Sequence, residues 1–280
     1  MFKYLIYTLT SLFISTCLKA QGNFPQTCTT AGLSMANTAL HLENIDALAY
    51  NPAGIHCLKR INTSFHGTNY WGIEGINTWT FALALPNSMK DGFGLQLQGF
   101  RPGQFSFIKT GLSYGRKLTQ NTAAGIQFLY HAATNIEKET NSRISAELGI
   151  QLKISNLVGF SALLHSFYPY FQQSESIFAY PDAYRMGFVF RPGDFIELAF
   201  EIHHSLYRKP GYSMGLAYHF SKDRYQWRMG FDWSKTSFST GLGMEFLGLQ
   251  LDLATLYHPD LGFTQAIGLI KKFEKAQTKE

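Results

Sequence analysis

The chain has 280 residues, is 45% hydrophobic and 15% aromatic, and carries 24 Lys and Arg against 19 Asp and Glu. That length suits one large domain or two ordinary ones, and a net charge of +5 without a basic run interleaved with aromatics points away from a nucleic-acid partner. Beyond residue 20 no run of eighteen apolar residues occurs, which excludes a membrane-spanning helix.

Residues 1–20 read as a secretory signal. Lys3 supplies the positive end, Leu5 to Leu18 the mostly apolar middle, and Leu18 and Ala20 sit at −3 and −1 of a cut before Gln21. A membrane anchor is the weaker reading, because the stretch is short and ends in small residues. Acylation at Cys17 would need a better residue before it than Thr16. The cut removes Lys3 and Lys19, leaving 22 basic and 19 acidic residues, a net +3. An exported, aromatic-rich chain with 25 glycines is a soluble secreted β-protein or an outer-membrane barrel.

Residues 21–57 do not alternate. Asn44 is placed to cap a short helical turn reaching Ala49. Asn51 precedes a proline and is pushed out of helical angles. Asn51-Pro52-Ala53-Gly54 has the preferred composition of a type I turn, predicting a short helix ended by a rigid turn that aims the chain into the first strand.

From Leu58 the pattern changes to a period of two. In Ile144 to Ile154, Ile144, Ala146, Leu148, Ile150, Leu152 and Ile154 face one way, and Ser145, Glu147, Gly149, Gln151 and Lys153 the other. Fourteen such segments are predicted: 58–67, 77–86, 93–103, 107–118, 122–134, 143–154, 158–169, 182–191, 195–206, 210–220, 225–233, 237–246, 248–258 and 262–273. Their length matches a tilted strand crossing ~25 Å of hydrocarbon. Connections after even-numbered strands are short, and several after odd-numbered ones are long. Membrane barrels alternate in this way, with short periplasmic turns and longer outer loops. The large apolar stripe, often ending in Tyr or Trp, is then the lipid face, and the polar or small stripe lines the lumen. The predicted fold is an all-β, 14-stranded antiparallel transmembrane barrel. In the last strand Ile267, Leu269 and Phe273 lie outward, which resembles the signal read by barrel-insertion machinery.

The run AGLSMANTALHLENIDALAYNPAGI, residues 31–55, resembles the N-terminal signature of FadL-like outer-membrane barrels, and especially of the PorV/PorQ family. That family has a small-residue segment, an Asp-x-x-Ala step, then Asn-Pro-Ala-Gly and a large apolar residue. The matching residues are Asp46, Ala49, Asn51, Pro52, Ala53, Gly54 and Ile55. Where the family is richer in glycine, this chain has Met35-Ala36-Asn37. The resemblance implies a fourteen-stranded barrel with its N-terminal segment folded into the lumen as a plug, and makes the turn a hinge between plug and wall. The expected organisation is signal 1–20, plug 21–57, barrel 58–273 and tail 274–280, in the bacterial outer membrane.

The lumenal stripe carries Lys109, Lys153, Arg185 and Arg228 beside Glu147, Glu197, Glu201, Asp232, Glu245 and Asp252. A selective ion channel would show a ring of one sign, whereas mixed charges pair and brace a closed lumen. Adjacent His203 and His204 point to opposite faces, and no zinc-site, His-Glu-x-x-His or Gly-x-Ser-x-Gly pattern is present. No enzyme activity, metal or cofactor is expected. Cys28 and Cys57 remain after export and either form a disulfide tying plug to wall or stay as two packed thiols.

Two functions follow from the resemblance. One is an accessory or adaptor subunit of an outer-membrane machine such as type IX secretion, with lipid and other outer-membrane or secretion-system proteins as partners. The alternative is a FadL-like transporter with a hydrophobic ligand such as a long-chain fatty acid. The polar or small lumenal stripe favours the first. A continuous apolar tunnel would favour transport, and a plugged polar lumen the adaptor. The aromatic loop from Ser166 to Ala183 is the candidate contact surface or a lid over the barrel mouth.

Overall fold

Alternation along each strand sets the architecture. In the segment Thr140–Lys153, Ser145, Glu147, Gly149 and Gln151 are buried, while Ile144 and Leu148 are exposed. A sheet with polar and small residues inside and apolar residues outside is the reverse of a water-soluble sheet. The computed structural model describes residues 29–273 apart from 88–89, 135–139, 166–183, 205–208 and 221–223, and leaves out the side chains of 141 and 143.

The strands are β1 (Asn62–Asn69), β2 (Asn77–Pro86), β3 (Asp91–Phe100), β4 (Ser106–Lys117), β5 (Thr122–Thr134), β6 (Thr140–Lys153), β7 (Val158–His165), β8 (Tyr184–Gly193), β9 (Ile196–His204), β10 (Gly211–Phe220), β11 (Tyr225–Asp232), β12 (Ser237–Phe246), β13 (Leu249–His258) and β14 (Gly262–Lys272). Each pairs antiparallel with its neighbours in sequence, and β1 pairs with β14, closing the barrel. The closing register runs from Asn62–Lys272 to Asn69–Gln265. Closure leaves no unpaired sheet edge, which a bilayer requires. The spans agree closely with the sequence reading. β1 begins four residues later than expected, because Lys59, Arg60 and Ile61 are exposed at the rim.

Outside, Leu112, Phe128, Phe188, Leu242 and Leu253 are among many large apolar residues at 49–61% exposure. An apolar exterior of this extent belongs in hydrocarbon, so the barrel spans a membrane through its strands. At one end, the turn end, every hairpin connection has at most four residues. Two of them have only two residues, and the one from β12 to β13 runs through Leu247 and Gly248, both at positive φ (50° and 71°). The opposite, loop end carries the longer connections early in the chain, but only four residues join β11 to β12 and three join β13 to β14.

Inside lies the N-terminal segment. Helix α1 (Thr30–Ser34) is capped by Thr29, whose side chain accepts from Gly32 N. After α1 the chain turns through Ala36 and Asn37, both left-handed (φ 52° and 61°), in the stretch where glycine would fit without strain. Helix α2 (Ala47–Tyr50) and a 3₁₀ helix (Pro52–Cys57) follow. Asn51 between them is extended (φ −159°, ψ 105°), as its proline neighbour demands, and its side chain accepts from Ala53 N at 3.1 Å. Gly54 N donates to Asn51 O at 3.0 Å, so the expected turn forms and continues into the 3₁₀ helix. Asn44 does not cap α2. Its side chain accepts from Asp46 N at 2.9 Å in a local turn, and Asp46 holds the cap position without a side-chain bond.

Candidate functional site: the plugged lumen

The plug fits because the wall beneath it lacks side chains. A Cβ added to Gly125 would lie 2.4 Å from Ala53 N, on Gly115 2.4 Å from Pro52 O, and on Gly149 2.0 Å from Asn51 Oδ1. Across the barrel, one on Gly230 would lie 2.2 Å from the Met35 carbonyl carbon and one on Gly241 2.5 Å from Ser34 Cβ. The Asn51–Gly54 turn is therefore seated on β4–β6, and the end of α1 on β11–β12. Between the glycines the wall is small and apolar. Leu33 rests on Ala254 and Ala266, Met35 on Val189, Ala199 and Ala217, and Leu48 with Ile55 on Ala82, Ala84 and Ile270.

Polar clasps fix the plug in this seat. Glu201 on β9 accepts from Leu40 N at 2.6 Å with one oxygen and from Arg185 on β8 at 2.5 Å with the other. The same Arg185 nitrogen donates to Asn37 O at 2.6 Å, and its guanidinium lies 5.7 Å from the centre of the Tyr50 ring. Tyr50 OH donates to Asn37 Oδ1 at 3.0 Å and accepts from Thr29 N at 3.2 Å. Thr30 N donates to His66 Nδ1 at 3.2 Å, which leaves Nε2 of His66 as the protonated nitrogen 3.1 Å from Asp46 Oδ1. Both partners of that contact are fully enclosed, and the two atoms are not aligned as a hydrogen bond. Gln127 donates to Leu48 O, and Gln151 to Leu40 O and Leu42 O. Asn51 Nδ2 donates to Leu40 O and, across to the wall, to Ile150 O, both at 3.2 Å.

The lumenal charges expected from the sequence occupy that face, mostly in pairs. Glu147 contacts His165, Arg185 contacts Glu201, and Arg228 contacts Asp252 at 2.9 Å. Glu197 is shared by Arg191 at 2.9 Å and the plug's His41 at 3.4 Å. Glu197 and Glu201 therefore have separate partners and do not act as an acid pair. Asp232 binds the β11–β12 connection through Ser234 and Lys235, and Glu245 pairs with Lys272. Lys109 is half-buried in the lumen, and Lys153 is exposed on the turn-end rim. Of the motif residues, Asp46 meets His66, Asn51 bridges plug and wall, and Pro52, Ala53 and Gly54 form the seated turn, whereas Ala49 is only half-buried.

Cys57 is a free thiol that donates to Glu43 O at 2.9 Å, and Cys28 lies outside the described residues, as does the aromatic loop 166–183. Burial, reinforced by Glu43, pushes the Cys57 thiol up to about 12. Sequence reasoning missed His66, Tyr50, His41 and Arg191. Inward parity marks His66 and Arg191, but nothing in sequence says which plug residue each one meets.

Two cavities of about 740 and 930 Å³ adjoin the plug at the turn end and share Glu43, Asn44, Arg191 and Glu197 in their lining. At the loop end Phe100, Phe105, Phe107 and Ala133 form an apolar cluster. The barrel fold has counterparts among solved structures. The chain is similar to the CymD monoaromatic hydrocarbon channel, with a TM-score of 0.69 and 9% identity over 91% of this chain and all of that one. The fold is shared. A FadL homologue from Pseudomonas aeruginosa gives a TM-score of 0.61 and 12% identity, covering 91% of this chain and 100% of that chain. The Pseudomonas putida toluene transporter TodX gives 0.61 and 9%, covering 90% and 98%. No protein-family model and no curated protein matches the sequence.

Proposed function

We propose that the chain is a bacterial outer-membrane channel for hydrophobic small molecules, with the N-terminal plug as its gate. The observation that carries this reading is the plugged barrel, whose fold is that of proteins described as hydrocarbon channels and a toluene transporter. The wall under the plug supports it. Ala82, Ala84, Val189, Ala199, Ala217, Ala254 and Ala266 lie against plug side chains, so a shifted plug exposes apolar wall between the loop-end Phe cluster and the turn-end cavities. An apolar solute crossing there replaces one set of apolar contacts with another, at little net cost. In this reading the turn end faces the periplasm.

The test uses purified barrel in liposomes. Cysteines at His41 and Glu197, in a background with Cys28→Ser and Cys57→Ser, are bridged by a short reducible cross-linker. Uptake of toluene and of a long-chain fatty acid should stop on bridging and return on reduction. Undiminished uptake by the bridged protein overturns the gate. A second reading, a PorV/PorQ-like adaptor, is favoured by the Asn51–Gly54 motif and by the number of buried clasps that hold the plug shut. Absence of uptake by a properly folded barrel, with outer-membrane proteins recovered from gently solubilised membranes, would select it.

A further inference from the structure

The lipid-facing surface of β11–β14 and β1 breaks the rule its neighbours follow. Three successive outward rows can be read from the strand register. The row nearest the loop end is aromatic: Phe231, Phe238, Tyr257 and Phe263, each opposite the next. Two residues further along, the row has Met229 on β11 and is then polar, with Thr240, Thr255, Gln265 and Asn69, again each opposite the next. The third row is Leu242, Leu253, Ile267 and Gly67. A step of two residues on a strand tilted by about 40° is ~5 Å of depth, so the polar row lies just below the aromatic girdle that marks the membrane interface.

The same rows enclose an open groove of about 800 Å³, because Gly67, Thr240 and Thr255 are small where neighbouring outward positions are large. Trp227 closes one side by donating to Thr240 Oγ1 at 3.1 Å, and Thr240 in turn donates to Arg228 O at 3.0 Å. Asn69 Nδ2 donates to Asn77 Oδ1 at 2.8 Å and to Ile73 O at 2.9 Å. The Thr255 hydroxyl and the exposed Gln265 carboxamide make no hydrogen bond among the described residues. Polar groups at this depth have no bulk water and are costly unless a partner reaches them.

We infer that this groove is a binding site for one outer-leaflet lipid whose acyl chain carries an amide or hydroxyl close to its head. The groove is continuous with the apolar belt, so its occupant comes from the bilayer. Its concave shape accepts a chain and does not suit a second, equally concave copy of itself. Gln265 offers both a donor and an acceptor, and Thr255 likewise. An ester-only phospholipid can use the donors alone, whereas an amide-linked hydroxyacyl lipid uses both. The chain lies on Leu242, Leu253 and Ile267. This site is on the outer wall and does not depend on what passes through the lumen.

The test is native mass spectrometry of the detergent-purified full chain, offered a synthetic amide-linked 3-hydroxyacyl glucosamine lipid or dioleoylphosphatidylcholine. The wild type should retain the hydroxyacyl lipid about tenfold better, as one or two hydrogen bonds imply. Gln265→Leu should erase that preference, and Thr255→Phe, which fills the groove and keeps Gln265, should lower retention of the same lipid. Equal retention of both lipids by the wild type, or an unchanged preference in a folded variant, overturns the site. Disulfide-linked dimers from Leu253→Cys without lipid retention would assign the groove to a second copy instead.

Discussion

Replacing Glu201 with alanine should release the plug while leaving the barrel intact. Glu201 is buried on β9 and serves both Leu40 N of the plug and Arg185 of the neighbouring strand. The substitution leaves the buried Arg185 guanidinium without its carboxylate. Breaking one side of a buried ion pair costs about 3–5 kcal/mol. The barrel keeps its ladder bonds, so this cost falls on plug docking. At 1.4 kcal/mol per factor of ten, the undocked population rises roughly a hundred- to several-thousand-fold. A thiol at Thr38, a fully enclosed plug residue, reads that population through its maleimide labelling rate in a background without Cys28 and Cys57. The barrel itself is checked by its faster gel migration when unheated. Arg185→Met combined with Glu201→Ala removes the stranded charge and should recover much of the protection. Labelling at the parental rate in Glu201→Ala, or a double variant as loose as the single one, would refute the assignment of the clasp to this pair.

Gly125→Ala should unseat the plug at a cost of about 1–3 kcal/mol, because the new Cβ meets plug backbone, whereas Gly94→Ala meets only the end of Leu48 and should be milder; limited proteolysis at the turn end ranks the two. Cys57 should alkylate about a thousandfold more slowly in folded than in denatured protein at pH 8, since burial keeps it protonated. Above pH 9 the unfolded thiol loses a proton that the folded one retains, so plug docking should weaken with rising pH, read as faster Cys57 labelling than thiolate chemistry alone predicts. Leu253→Arg, in the middle of the outer belt, should destabilise the barrel by about 2–4 kcal/mol in vesicle refolding, and a neutral result would dispute the lipid face.

Strand number, order and facing were legible because a membrane barrel has one repeating rule, and each strand obeys it locally. Ser145, Glu147 and Gln151 announce the lumen, and Ile144 and Leu148 the lipid, without knowledge of any other strand. The plug was legible as a motif but not as a set of contacts. Asn51 could be read as a turn residue, yet its bond to Ile150 O spans 99 positions. The pairing of His66 with Asp46, and of Glu201 with Leu40 N, depends on where two unrelated segments come to rest. Alternation says which stripe a charge lies on but not which partner it meets, as Glu197 with Arg191 and His41 shows. A plugged polar lumen also discriminates less than expected, since a gated channel at rest and an adaptor present the same filled interior.

The seat of the plug imposes an order of assembly. Its Asn51–Gly54 turn rests on β4–β6, strands made early, while α1 rests on β11–β14, the last to leave the ribosome. The two halves of this seat meet only when β1 zips against β14 along the register from Asn62–Lys272 to Asn69–Gln265. Until then the wall under α1, with the Ala254 and Ala266 that Leu33 covers, is not held opposite the wall under the turn. Docking of both ends of the plug at once therefore requires a barrel whose β1–β14 seam has closed in register.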